Sequence, residues 1–279
     1  MALTIATYNI HRAFGTDGRF APDRIAEVVR EMGADVIALQ EVPLGDARLP
    51  NVLAFLHQAT GFIAAEGPTV DLPDRHCGNA VLSRYPIAAV RAIDLTFGRH
   101  EPRGAVDADL NCHGHPLRVV ATHLGLRAAE RRMQVRRLLQ VFDTEEMAVV
   151  LLGDINEWFV WGQPLRWLKS HFQKAHALAT FPSWWPLFAL DRIWIRPHQR
   201  LVHVNVHASP LARLASDHLP LVARIGAHVK TDPAPATAAE ADCSSLKKFL
   251  KFLFTILAQV RVHEGFPFHA LAEYRLGLV

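Results

Sequence analysis

The feature that most constrains this chain is a series of short polar motifs, each placed within or at the end of an apolar run. In order they are Thr7-Tyr8-Asn9-Ile10, Gln40-Glu41, Gly78-Asn79, Arg103-Gly104, Thr122-His123-Leu124, Gly153-Asp154-Ile155-Asn156, Leu190-Asp191-Arg192 and Ser216-Asp217-His218. A buried strand that ends in such a motif places the polar side chain at the rim of a sheet. Several rims that meet at one edge gather the carboxylate, amide and imidazole groups that a hard divalent cation and a phosphate ester require.

The apolar runs alternate with segments of helical spacing. Residues 36–39 and 149–152 predict fully buried strands, whereas residues 22–30 and 127–141 have the 3.6-residue period of amphipathic helices. Other strands are joined by short turns and are therefore expected to be antiparallel. This mixture favours a four-layer α/β/β/α sandwich, with two sheets inside and helices outside. No glycine-rich loop joins a strand to a helix, which disfavours a dinucleotide-binding or P-loop fold.

Composition sets the outer limits. The chain has 279 residues, of which 50% are hydrophobic, and a net charge of +3. That charge suits a phosphate-bearing substrate but falls far short of the basic surface of a dedicated nucleic-acid binder. The three cysteines are odd in number and match no zinc spacing, which favours a reducing compartment. Because the first strand follows Met1 and Ala2 at once, we expect no signal peptide and a cytoplasmic protein.

A change in composition after Ile225 predicts three segments. Residues 1–228 form the domain that carries the polar motifs, residues 229–244 form a Pro/Ala-rich linker, and residues 245–279 carry an amphipathic helix and tail. The apolar face of that helix comprises Leu246, Phe249, Leu250, Leu253, Leu257 and Val260, flanked by Lys247, Lys248 and Lys251. Residues 246–260 therefore suit peripheral contact with the inner face of an anionic membrane. The alternatives are a helix docked on the sandwich and a tail without fixed structure.

The ordered set of motifs resembles the endonuclease/exonuclease/phosphatase family, which is the DNase I-like superfamily. The resemblance covers residues 3–225, and its specificity comes from the order of the motifs rather than from any one of them. The stretches that are most similar to a small bacterial branch of the family are Thr122-His123-Leu124-Gly125-Leu126-Arg127, Thr180-Phe181-Pro182 and Leu190-Asp191-Arg192-Ile193.

The resemblance implies a metal shell made by Glu41, Asn9 and Asp217. Carboxylate and amide oxygens are hard donors, which suit Mg²⁺, with Mn²⁺ as a substitute. Taken alone, Asn9 and Glu41 would be better explained as polar residues at the ends of strands, and Asp217 could be a loop cap.

The resemblance also implies the catalytic roles. Asp154 would orient or deprotonate the attacking water, and Asn156 would donate to the phosphate in the transition state. His218 would contact the phosphate, with Asp191 fixing its tautomer and favouring its cation. His123 would be either a phosphate contact or a general acid. Asn79 and Arg103 are expected to be donors on the phosphate side, although a solvated charge is nearly as good an explanation of Arg103.

Two further segments bear on the substrate. All six tryptophans lie after the Asp154 motif, within residues 158–194: Trp158, Trp161, Trp167, Trp184, Trp185 and Trp194. If exposed, they could stack on bases or enter a lipid interface; we expect Trp167 and Trp194 in the core. The arginines of the helix over residues 127–141 are expected to form a solvated face.

The sequence therefore predicts a Mg²⁺-dependent phosphodiesterase acting on a lipid-type or small phosphodiester. The alternatives are a non-specific endonuclease or exonuclease of the DNase I type and, from another class, a catalytically silent membrane-associated binding module. The substrate is expected to be a lipid, a nucleotide or a nucleic acid, and no protein partner is indicated.

Overall fold

A computed structural model describes residues 2–142, 147–173 and 176–226 of the chain. Its eleven strands in these ranges are β1 (Leu3–Asn9), β2 (Val36–Pro43), β3 (Ile63–Leu72), β4 (Arg75–Ser83), β5 (Ile87–Asp94), β6 (Gly104–Cys112), β7 (His115–His123), β8 (Ala148–Asp154), β9 (Asp191–Arg196), β10 (Leu201–Val206) and β11 (Leu221–Ile225). The five α-helices in the same ranges are α1 (Pro22–Met32), α2 (Val52–Thr60), α3 (Ala128–Val141), α4 (Gln163–Phe172) and α5 (Pro210–Ala215).

The strands form two sheets that pack face to face. One sheet has the order β10-β11-β1-β2-β4-β3 and the other β5-β6-β7-β8-β9. An apolar core between the sheets includes Ile5, Val81, Val119 and Val150. Two further cores cover the outer faces, one beneath α1, α2 and α5 and one beneath α3 and α4. The predicted four-layer α/β/β/α sandwich is confirmed.

The sheet topology places the polar motifs. In each sheet, among the described residues, one neighbouring pair is parallel: β1 with β2, and β7 with β8. Parallel neighbours end at the same edge of a sheet, so the motifs that follow them converge. Asn9 is the register partner of Gln40 in the first sheet, and His123 is the partner of Asp154 in the second.

Several elements were not anticipated. Strands β3 and β10 lie at the sheet edge and expose many of their residues, so their apolar pattern is weak. Helix α4 interrupts the tryptophan-rich region that the sequence suggested was loop, and α5 lies in the connection between β10 and β11. Both begin with proline in the first turn, where its fixed φ and missing N–H are tolerated.

The predicted solvated face of α3 is wrong for Arg131, which is 1% exposed. Trp194 is buried, and Trp167 packs partly buried against the core beneath α3 and α4, as expected. The predicted linker and the predicted amphipathic helix lie outside the described residues. Within the ranges that are described, no helix combines the length and apolarity needed to cross a membrane.

Candidate active site

Three candidate residues occupy one rung of the second sheet. His123 ends β7, Asp154 ends β8 and Asp191 begins β9, and Asp154 is the register partner of both others. Gly153 permits this close approach. Its φ of +147° is one that side chains rarely adopt, and a Cβ there would lie 1.8 Å from the Thr122 carbonyl oxygen. The pairing of these three neighbouring strands therefore brings a buried imidazole and two buried carboxylates together.

The first sheet contributes Asn9 and Glu41 to the same place. Asn9 Nδ2 donates to Asp154 Oδ2 at 3.1 Å and to Glu41 Oε1 at 3.3 Å. Glu41 lies in a bulge of β2, where the pairing with β4 shifts between Leu39 and Val42, and its φ is +56°. A left-handed conformation at a non-glycine residue is costly, and such strain is concentrated at functional sites. The bulge places Glu41 where Asn9 can contact both it and Asp154.

His218 and Asp191 form a buried pair. His218 Nδ1 lies 2.9 Å from Asp191 Oδ2, which also accepts a 2.6 Å hydrogen bond from Thr180 Oγ1. Burial alone would lower the pKa of His218, but the carboxylates of Asp191 and Asp154 outweigh it and raise that pKa to about 10. Asp191 therefore holds His218 as a cation whose Nε2–H points toward Asp154 Oδ2, 3.7 Å away.

Asp154 belongs to the second sheet and is linked to the first sheet by its hydrogen bond from Asn9. It is 1% exposed, and its Oδ1 accepts the backbone N–H of Asn156 at 2.9 Å. Burial raises the pKa of Asp154 to about 6; Asp191 adds to the rise and His218 opposes it. Asp154 is thus ionised near neutral pH, with a basicity that suits proton abstraction at that pH.

His123 has an N–H donor next to each ring nitrogen. Arg103 Nη1 lies 3.0 Å from Nδ1, and Asn156 Nδ2 lies 3.0 Å from Nε2. A neutral imidazole accepts at one nitrogen only, and the guanidinium stays charged, so Nδ1 accepts from Arg103 and Nε2 carries the proton. The Asn156 amide nitrogen cannot accept that proton and donates to the Leu124 carbonyl instead. Burial and the charge of Arg103 hold the pKa of His123 well below its usual range. The ring is therefore a neutral Nε2–H donor, with Asp154 Oδ2 3.6 Å away.

The remaining predicted residues are placed less centrally. Asn156, with φ +52°, donates from Nδ2 to the Leu124 carbonyl at 2.9 Å. Asn79 Nδ2 donates to the Gly104 carbonyl at 2.8 Å and so ties β4 of one sheet to β6 of the other. Asp217 lies 3.8 Å from His11 Nδ1, and its side chain is 34% exposed. The phosphate roles of Asn79 and Arg103 and the metal role of Asp217 remain predictions.

Two donor sets could hold a divalent ion. Glu41 and Asn9 lie side by side and offer hard oxygens, although the Asn9 Oδ1 now accepts the His11 backbone N–H at 3.0 Å. Rotating that amide by half a turn would exchange its oxygen and nitrogen. Ligand atoms of Asp154, Asp191 and His218 also lie within 4.8 Å of one another. In the set of Asp154, Asp191 and His218, the Nδ1–H of His218 already donates to Asp191. The set of Glu41 and Asn9 therefore fits a hard cation better.

Four supporting residues were missed by the sequence reading. Thr180 holds Asp191, and Ser216 Oγ donates to the Asn9 carbonyl oxygen at 2.8 Å. Arg131 Nε donates to buried Glu157 at 3.2 Å and Arg131 Nη1 donates to the Gly125 carbonyl at 3.2 Å. This pairing fixes the loops that follow His123 and Asn156. The Thr180-Phe181-Pro182 stretch was a sequence signal that could have identified Thr180 as a site residue. The helical period of α3, by contrast, could not show that the Arg131 side chain turns inward.

Comparison with known proteins agrees with the fold and places the chain among similar sequences. The chain is 33% identical over 248 residues to YbhP of Escherichia coli (strain K12), which covers 79% of this chain and 95% of YbhP. Among solved structures, an endonuclease/exonuclease/phosphatase from Beutenbergia cavernae superimposes with a TM-score of 0.69 at 24% identity, covering 80% of this chain and 71% of its own. A mannosyl-6-phosphatase from Bacteroides thetaiotaomicron gives a TM-score of 0.64 at 18% identity, covering 79% and 98%.

The family match itself spans every motif of the site. It runs over residues 6–218, from β1 to His218. Members of this family are generally hydrolases of phosphoester bonds that use a divalent metal. The convergent strand ends, the carboxylate–imidazole pairs and this match together show that the chain belongs to the Endonuclease/Exonuclease/phosphatase family.

Proposed function

We propose that the protein is a Mg²⁺-dependent phosphodiesterase that hydrolyses a lipid-type or small phosphodiester. The observation that carries the proposal is the single rung formed by His123, Asp154 and Asp191, with His218 held against it. It presents an ionised base, a cationic donor and a neutral donor within one buried cluster. Hydrolysis of a phosphodiester needs each of these: a water to be activated and charge on the phosphate oxygens to be stabilised.

Each residue has a distinct part. Asp154 orients a water molecule and accepts its proton, because its carboxylate is ionised yet more basic than usual. The imidazolium of His218 donates from Nε2 to a phosphate oxygen and neutralises its charge. His123 donates from Nε2 as a neutral ring, which favours a phosphate contact over the general-acid role. Glu41 and Asn9, with Asp217 as a candidate third ligand, would hold the Mg²⁺ ion, which when bound supplies Lewis acidity toward the phosphate.

A lipid-type substrate is favoured over a nucleic acid by the surroundings of the site. Large apolar side chains are exposed on the two loops that flank it, and these loops carry no arginine or lysine to track a phosphate backbone. A nuclease needs such cations to hold its polyanionic substrate.

Turnover of bis-p-nitrophenyl phosphate with Mg²⁺, with Mn²⁺ and with EDTA tests the enzymatic proposal. We expect metal-dependent hydrolysis that Asp154→Asn lowers by about a thousandfold or more. Thr16→Val, which removes an exposed hydroxyl that donates to the Arg213 carbonyl and not to the rung, is the control. Wild type and Asp154→Asn showing the same metal-independent rate would favour a silent binding module. A panel of phosphatidylcholine micelles, phosphatidylglycerol micelles, supercoiled plasmid and a sugar monophosphate then separates lipid enzyme, nuclease and phosphatase.

A further inference from the structure

Two loops beside the site expose large apolar side chains. One follows Asn156 and the other leads to Leu190. We call their six exposed members the aromatic rim, and the exposed fractions are Phe159 39%, Val160 59%, Trp161 50%, Trp184 67%, Trp185 63% and Leu187 41%. Single exposed apolar residues are ordinary, but a concentration of them on two adjoining loops marks an interaction surface.

Aromatic contacts join the two loops to each other and to the catalytic residues. The ring of Trp158 lies 5.9 Å from that of Phe181 and 4.8 Å from that of Phe188. Phe181 in turn lies 4.8 Å from the imidazole of His218. The two loops that carry the aromatic rim therefore lie next to each other and beside His218.

The second loop is held firmly in place. The backbones of Phe181 and Phe188 exchange hydrogen bonds of 3.1 Å and 2.8 Å, which close the loop at its base. Ser183 N donates to the Asp217 carbonyl at 2.7 Å, and Ser183 Oγ donates to the Arg213 carbonyl at 3.0 Å. The loop is thus anchored on both sides, and its fixed backbone presents Trp184 and Trp185 to the outside. Burying them inward would require these hydrogen bonds to break.

The chemistry of the loops selects the partner. Residues 158–165 and 177–190 contain no Asp, Glu, Lys or Arg. A nucleic acid would need cations among the aromatics, since its binding is driven largely by phosphate neutralisation. Val160 and Leu187, moreover, offer no flat ring on which a base can stack. Tryptophan accompanied by aliphatic side chains without charge is typical of protein surfaces that enter the headgroup region of a bilayer.

We propose that the aromatic rim inserts into a phospholipid surface and holds the mouth of the active site against it. The proposal deepens the proposed function, on which its catalytic meaning rests, because a lipid phosphodiester lies at the depth that the rim would reach. Insertion itself requires no turnover. Because the rim is uncharged, it should bind neutral and anionic lipid alike, whereas the lysines of the predicted tail helix favour anionic lipid only.

Co-sedimentation of the full chain with phosphatidylcholine vesicles tests the proposal, with quenching of tryptophan fluorescence by brominated phosphatidylcholine as a second readout. We expect binding to neutral vesicles, with quenching, that Trp184→Ala/Trp185→Ala weakens by at least about tenfold. Trp161→Ala should weaken it in the same direction. Phe55→Ala, which removes an exposed aromatic from α2, is the matched control and should bind as wild type does.

Results of three kinds would overturn the proposal. One is equal partitioning of wild type and Trp184→Ala/Trp185→Ala, or the absence of binding to neutral vesicles. Another is loss of neutral-vesicle binding by the tail variant Leu250→Glu/Leu253→Glu while the tryptophan variant still binds. The third kind concerns other partners. A molecular mass in sedimentation velocity that differs between wild type and the tryptophan variant would assign the rim to a second copy of the chain. Quenching of tryptophan fluorescence by single-stranded DNA that also displaces the vesicles would assign the rim to nucleic acid.

Failure of the rim and failure of the catalytic proposal can be told apart. Asp154→Asn should lose turnover but bind vesicles as wild type does, because Asp154 is buried and so cannot contribute to insertion. Vesicle binding without any metal-dependent turnover in wild type would refute the enzyme and leave the rim intact. Metal-dependent turnover without vesicle binding would refute the insertion of the rim and leave the enzymatic proposal intact.

Discussion

Arg103 Nη1 lies 3.0 Å from His123 Nδ1, and this contact decides what His123 can do. A guanidinium only donates, so the imidazole must accept at Nδ1 and carry its proton on Nε2. The charge of Arg103 also disfavours the imidazolium. The contact therefore turns His123 into a neutral donor, in contrast to His218, which Asp191 holds as a cation.

Replacing Arg103 with Met should release this constraint. We expect the tautomer of His123 to become mixed and its pKa to rise toward the usual range, because the neighbouring positive charge is gone. Turnover should fall by about a hundredfold, the usual effect of losing one oriented donor. Nitrogen-15 chemical shifts of the ring report the tautomer directly. An unchanged Nε2–H tautomer in Arg103→Met would show that Arg103 does not set it; Arg99→Met, in the preceding loop, is the control.

Asp191→Asn should weaken both the orientation and the positive charge of His218. An amide at 2.9 Å from Nδ1 no longer favours the imidazolium, so the pKa of His218 should fall and kcat should drop by about a thousandfold or more. Thr180→Val removes only the hydroxyl that donates to Asp191, and should cost about tenfold. Steady-state kinetics compare the two. A loss for Asp191→Asn of only about tenfold, no larger than that expected for Thr180→Val, would mean that the charge of Asp191 contributes nothing to His218.

The two possible donor sets for the metal predict different variants. If Glu41 and Asn9 hold Mg²⁺, Glu41→Gln should raise the Mg²⁺ concentration at half-maximal activity by at least about tenfold, because a charged ligand becomes neutral. Asp191→Asn should lower kcat while leaving that concentration near the wild-type value. Activity titrations with Mg²⁺ separate the sets, and isothermal calorimetry with Mn²⁺ checks them without turnover. The reverse pattern would assign the ion to Asp154, Asp191 and His218.

Away from the site, Asp107 supports the second sheet through paired arginines. Its two oxygens accept from Arg118 Nε at 2.8 Å and Nη2 at 2.6 Å, and also from Arg91. Burial raises the pKa of Asp107, but hydrogen bonds from Arg118 and Arg91 outweigh it, so the pKa lies below its usual range. The resulting stability is present above the unfolded pKa of about 4 and is lost as the pH falls through the lower folded value.

Asp107→Asn should therefore cost about 3 kcal/mol of unfolding free energy at neutral pH, since a buried guanidinium loses its anionic partner. The difference from wild type should shrink as the pH is lowered below about 4. Asp109→Asn, whose carboxylate is more exposed and meets Arg91, should cost less than about 1 kcal/mol. Urea unfolding at neutral and acidic pH provides the measurement. A pH-independent difference would contradict the linkage.

Sequence reasoning reached the fold and the rung because both depend on local patterns. Asn9, His123 and Asp154 each end a buried apolar run, and parallel neighbours must bring such ends together. It could not see contacts that depend on tertiary packing. The exposed edge strand β3 lacks the apolar signal of β2, and nothing local shows that Arg103 meets His123 rather than solvent. The exposure of Trp184 was likewise settled by packing.

Arg131 is the clearest such case, and it yields a final prediction. On α3 it belongs to an arginine-rich pattern that suggests a solvated face, yet it is 1% exposed and pairs with Glu157, which is 5% exposed. Arg131→Ala should cost about 3 kcal/mol or more, because the Glu157 carboxylate would stay buried without its cation. Arg137→Ala, on the exposed side of the same helix with Asp94 3.7 Å away, should cost less than about 1 kcal/mol. Urea denaturation of both variants measures the difference, and equal costs would mean that the buried pair adds nothing beyond helix packing. Because Arg131 also holds the Gly125 carbonyl, its loss should lower turnover as well, through the loop that follows His123.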